Sequence, residues 1–153
     1  WNTMRARHCN WVRLRDRKSG AEFRVLDIHL DHKSDDARRE QMKMIVGECA
    51  QYADGFPQII CGDFNSGIEN APVACLRDAG WQEAYEAVHG PGEAGFTYHG
   101  FKGPDYRKKN ARRIDFIFVR GNLQPVAAEI LRDKVDGLYP SDHYFLMSDF
   151  IIQ

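Results

Sequence analysis

The chemistry in this sequence gathers where apolar runs meet polar side chains. Ile59-Ile60-Cys61-Gly62-Asp63-Phe64-Asn65-Ser66 carries a hydrophobic stretch straight into a carboxylate and an amide. Burying a charge without a partner is costly, so Asp63 calls for a metal, a cation or a function. Three similar junctions occur. His29 follows Phe23-Arg24-Val25-Leu26-Asp27-Ile28, Asp115 lies in Ile114-Asp115-Phe116-Ile117-Phe118-Val119, and Asp142-His143 precede Tyr144-Phe145-Leu146-Met147. One such acid alone would be structural, but four polar clusters at strand ends suit one assembled site. Carboxylates suit hard divalent cations, and imidazole carries protons near neutral pH.

Such a site needs strands running in opposite directions. Residues 8–16 and 21–29 read as strands joined by a hairpin loop at Asp16-Arg17-Lys18-Ser19-Gly20. Ser34, followed by Asp35 and Asp36, opens a helix over about 35–53, which Asp54-Gly55-Phe56-Pro57 closes. A strand over 58–62 delivers Asp63, and a short helix follows near 70–79. Residues 89–113 read as a long irregular loop, and strands follow near 113–120, 125–133 and 143–152. His29 and Asp63 then close their strands, while Asp115 and Asp142-His143 open theirs. If those two pairs of strands run opposite ways, all four polar groups reach the same rim.

The order Ile-His-Leu, Gly-Asp-Phe-Asn, Ile-Asp-Phe-Ile-Phe and Ser-Asp-His resembles the endonuclease/exonuclease/phosphatase family. The resemblance runs from about residue 9 to the end. It implies an α/β fold, a partial four-layer, deoxyribonuclease I-like sandwich of two mixed, mostly antiparallel sheets flanked by helices. The family carries further chain before the His-Leu motif, including a metal-binding Glu. Residues 1–153 are therefore expected to form a single domain whose N-terminal portion is missing.

The resemblance also implies roles in hydrolysing a phosphate ester. Asp63 is similar to the family's water-orienting acid or general base, and Asn65 to the amide beside the scissile phosphate. His143 resembles the catalytic histidine, Asp115 the acid that fixes its tautomer, and His29 a second phosphate-facing imidazole. Asp63 and Asp142 are the expected ligands of Mg²⁺ or Mn²⁺. Expected substrates are phosphate esters: nucleic acid, a phospholipid head group or a sugar phosphate.

Other features leave alternatives open. Lys102, Arg107, Lys108, Lys109, Arg112 and Arg113 share a loop with Tyr98, Phe101 and Tyr106. This is either a solvated loop or a substrate contact; Arg107, Arg112 and, nearby, His99 are the candidates for binding. Asp27-Ile28-His29-Leu30-Asp31-His32 also resembles the His-x-His-x-Asp-His zinc motif of metallo-β-lactamase-fold hydrolases, with Asp27 in place of the first His. A non-catalytic interaction module of the same fold is a further reading. Hydrophobic content of 43% and charged content of 28% fit a globular domain. A net charge of −1 gives no global field that attracts nucleic acid. No apolar run approaches the ~20 residues of a membrane span. Cys9, Cys49, Cys61 and Cys75 read as four buried thiols, or as two disulfides if the protein is exported.

Overall fold

The structure, a computed structural model, describes residues 1, 3, 5–92, 95–106, 109 and 111–153. Its strands are β1 (Cys9–Arg15), β2 (Glu22–His29), β3 (Gln58–Asp63), β4 (Gln82–Glu83), β5 (Asp115–Arg120), β6 (Leu123–Leu131) and β7 (Phe145–Ile152). The helices are α1 (Asp35–Cys49), α2 (Ala71–Asp78) and α3 (Ala84–His89). One sheet has the order β1-β2-β3-β5-β4, and the other pairs β6 with β7. Among the described residues, only the β2–β3 pairing is parallel. The expected two-sheet α/β architecture with helical cover is what the chain adopts, though β4 and α3 carry no clear signal in the sequence.

Local chemistry accounts for the elements. Ser34 caps α1 from extended backbone, its hydroxyl accepting from the Ala37 N–H at 3.1 Å, and Asp35 and Asp36 complement the helix dipole. The helix ends at Cys49, earlier than its apolar spacing suggests, because tighter bonds from Gln51 to Glu48 and from Tyr52 to Cys49 take over. Pro72 stands in the first turn of α2, where its missing N–H costs nothing.

The pairing register sorts side chains by face. Leu26, Ile60 and Phe118 are neighbours across β2, β3 and β5, as are Ile28, Gly62 and Phe116. This face packs under α1 and α2 with Met42, Ile45, Val73 and Leu76, and Phe64 joins it, edge-on to Phe116 at 5.2 Å. Each such buried side chain contributes roughly 1.5–3 kcal/mol. The opposite face carries Asp27, Cys61 and Ile117 in register and, one step further along, His29, Asp63 and Asp115. Gly62 makes the close approach of β2 and β3 possible: a Cβ there would lie 2.0 Å from the Ile28 carbonyl oxygen.

The cysteine expectation needs correction. All four thiols are free, but only Cys49 is buried; Cys9 is exposed because its strand β1 lies at the edge of the sheet.

Candidate active site

Three polar residues meet by register alone. His29 ends β2 opposite Asp63 at the end of β3, and Asp63 stands opposite Asp115 at the start of β5. His143 reaches them from the segment before β7. Its Nδ1 lies 2.8 Å from Asp115 Oδ2, and its backbone N–H donates to Ser141 Oγ at 3.1 Å. His29 Nε2 is 3.5 Å from Asp63 Oδ2. These groups line a cleft of about 580 Å³ between the two sheets, together with Asp27 and Asp142.

Burial, and then the neighbouring Asp115 carboxylate, raise the Asp63 carboxyl above its ordinary range. The hydrogen bond that the His143 ring donates to Asp115 raises the imidazole above its ordinary value. Opposite charges close by favour the protonated imidazole, and like charges in a buried site disfavour the second carboxylate. Ligand atoms of Asp63, Asp115 and His143 all lie within 4.8 Å of one another. Two carboxylates beside an imidazole fit a hard divalent cation, and a cation would also offset the crowding that raises Asp63.

The loop after β3 is built around its acid. Asp63 Oδ1 accepts from the Asn65 N–H at 2.7 Å, which holds Asn65 at φ 49°, a conformation that Asn tolerates better than most residues. The Asn65 side-chain amide donates to the Leu30 carbonyl at 3.0 Å. Asn65 therefore ties the ends of β2 and β3 together and faces a neighbouring pocket, which it shares with Arg112.

Other sequence candidates fall elsewhere. Asp142 lines the cleft but stands outside the group of three; its carbonyl accepts from the N–H groups of His99 and Gly100. His99 is corrected to a core residue. It is fully buried against Tyr144 and Tyr139 at 4.2 and 4.6 Å, and burial lowers its pKa. Arg107 lies outside the described residues. Arg113, counted in the basic loop, is buried and forked onto Glu83 at 3.0 and 3.2 Å. The residues of the zinc alternative make other contacts: Asp31 accepts from Lys33 and Ser34 N–H at the entry to α1, and His32 is bonded to Arg7. These residues form no three-ligand cluster among the described residues.

Sequence reading missed Thr97. Its buried hydroxyl accepts from the N–H groups of Ile114 and Asp115, and its carbonyl accepts from the Tyr144 N–H. It thereby sets the start of β5 and the approach to β7. A lone Thr in a loop of mixed composition gives no sign of this.

A family model, the Endonuclease/Exonuclease/phosphatase family, matches residues 4–143. No curated protein matches the chain significantly in sequence. Among solved structures, a conserved protein of unknown function from Enterococcus faecalis V583 is 26% identical, with a TM-score of 0.82 over 95% of this chain and 56% of that one. The Bacteroides thetaiotaomicron mannosyl-6-phosphatase is 23% identical, with a TM-score of 0.85 over 99% of this chain and 59% of that one. The human Nocturnin catalytic domain with bound sulfate is 22% identical, with a TM-score of 0.76 over 96% and 53%. The chain thus spans little more than half the length of these structures.

Proposed function

We propose, from the premise that this chain belongs to the endonuclease/exonuclease/phosphatase family, that its rim hydrolyses a phosphate ester with water activated at Asp63. The observation that carries this reading is the convergence of Asp63, Asp115 and His143 at one end of the inter-sheet cleft. Burial holds the ion-free Asp63 above its ordinary range; a cation beside it would lower it again and leave a carboxylate able to orient the water and accept its proton.

In this scheme Asp63 accepts the proton of the attacking water as its oxygen bonds to phosphorus. The bond to the leaving alcohol breaks, and that oxygen takes a proton from an imidazole or from solvent. His143, held by Asp115, places positive charge beside the phosphoryl oxygens. His29, next to Asp63, faces the same cleft and serves charge stabilisation or protonation of the leaving group. Mg²⁺ or Mn²⁺ would be held by Asp63 and Asp115 beside His143, with Asp142 at the cleft wall, and would supply charge neutralisation on the phosphate. Asn65 acts mainly by fixing the Asp63 loop.

The test uses the full-length protein, Mg²⁺ and bis-p-nitrophenyl phosphate. Removing a general base or an electrostatic group typically costs about 10²–10⁴-fold. Asp63→Asn and His143→Ala should each lower turnover by at least about a hundredfold while circular dichroism stays native. Activity retained in folded Asp63→Asn would overturn the assignment.

A further inference from the structure

A second pocket, of about 410 Å³, adjoins the rim and shares no lining residue with the acidic cleft. Its walls include His32, Asn65, Tyr98, Tyr106, Lys109 and Arg112, with no carboxylate among the described lining residues. The cleft, by contrast, is lined by Asp27, Asp63, Asp115 and Asp142. Two neighbouring compartments thus differ in sign of charge.

Lys109 and Arg112 are both exposed to solvent at this pocket. No acid pairs with Lys109 or Arg112 among the described residues. Arg7 donates to His32 Nδ1 at 3.0 Å, which leaves the His32 ring proton on Nε2. Arg112 lies along the bare backbone of Gly67, where an added Cβ would fall 2.7 Å from its Cδ and 2.9 Å from its Nε. The pocket is also one ring away from the reacting centre. Tyr98 bridges to His143 in backbone pairing, and its ring sits 5.1 Å from the His143 ring and 5.5 Å from Tyr106.

We infer that this pocket takes a second phosphate group of the substrate, so that the preferred esters carry a further phosphate on the part that Asp63 and His143 do not touch. Arg and Lys without acidic neighbours recognise phosphate through charge-assisted bonds, and the aromatic walls accommodate the intervening sugar or carbon skeleton. The substrate side of the inference rests on hydrolysis at the rim; the anion site does not.

Two measurements on the full-length protein keep these apart. In EDTA, with no divalent ion to offset the acids of the cleft, calorimetric titration with inorganic phosphate reports the basic pocket. Binding should weaken with salt and fall at least tenfold in Lys109→Ala/Arg112→Ala. It should also fall in Gly67→Ala, which keeps both charges but unseats Arg112, and it should persist in Asp63→Asn. Absent binding, or binding indifferent to both sets of changes at Lys109, Arg112 and Gly67, overturns the inference. In Mg²⁺, kcat/KM for glucose 1,6-bisphosphate should exceed that for glucose 6-phosphate at least tenfold, or a 5′-phosphorylated dinucleotide should exceed its unphosphorylated form by as much. The first result assigns the phosphate to a small metabolite and the second to a nucleic acid. Either preference should collapse toward unity in Arg112→Ala. Hydrolysis without any such preference overturns the inference, whereas phosphate binding without any hydrolysis overturns the proposed function and leaves the anion site standing.

Discussion

Asp115 acts on two neighbours by different interactions, and both titrate higher because of it. Its carboxylate raises Asp63 by repulsion, secondarily to burial, and raises His143 through a hydrogen bond. Asp115→Asn should therefore bring the His143 titration, followed by ring-proton NMR, back toward 6.5. A titration unmoved by that change would refute the pairing. The same two shifts set a pH dependence of stability. His143 contributes stability that is fully present below its unfolded pKa near 6.5 and is lost as pH rises through the raised folded value. Asp63 binds its proton more tightly when folded, so its ionisation above the ordinary carboxyl range also costs stability. Denaturant midpoints without divalent ions should thus decline as pH rises above the unfolded Asp63 value of 3.8 and again past 6.5, where His143 adds its loss, and less so in Asp115→Asn. Asp63 and Asp115 were legible in the sequence because each stands at a strand terminus of readable direction, and His143 because it lies two residues ahead of β7, whose start the sequence places at residue 143. His99 and Arg113 were not, because what buries them, Tyr144 and Glu83, lies far away in sequence.

At the scale of elements, β3 is the ruler of the site. Its ladder with β2 and β5 aligns His29, Asp63 and Asp115 as a row. That alignment depends on a glycine at position 62, whose φ of 132° and contact with the Ile28 carbonyl leave no room for a side chain. Gly62→Ala should cost on the order of 3 kcal/mol or more, read from urea unfolding, and should lower activity in whatever fraction folds. A midpoint within experimental error of the parent would show that the strands can separate without penalty. The strands and the long helix were legible from apolar periodicity and capping. The two-residue β4 and the short α3 were not, since elements of that length owe their existence to pairing with β5 and packing against β6, neither of which leaves a periodic trace.

Across the whole molecule, one face of the main sheet is a sealed core under α1 and α2, and the other opens on the cleft. A divalent ion that binds only the folded rim must stabilise the fold by linkage, and it competes with the Asp63 proton. In the full-length protein, Mg²⁺ should raise the melting temperature more at about pH 7.5 than at about pH 5.5, and Asp63→Asn should remove most of that increment. Equal increments at both pH values would separate ion binding from Asp63. No helix among the described residues is long and apolar enough to cross a membrane.

The row of three residues on β2, β3 and β5 also bears on the order of events when the chain folds. Its partners are brought together from distant parts of the sequence: β2 and β3 are joined through α1, and β3 meets β5 only after α2, α3 and the long loop have been bypassed. Pairings of that kind are slow to form, and a slip of one residue in β3 would turn Asp63 to the opposite face. If the rim hydrolyses phosphate esters as proposed, recovered turnover of the full-length protein would be a clock for the last step of assembly: in a refolding experiment, helical signal should return first, and turnover should appear only with the finished ladder.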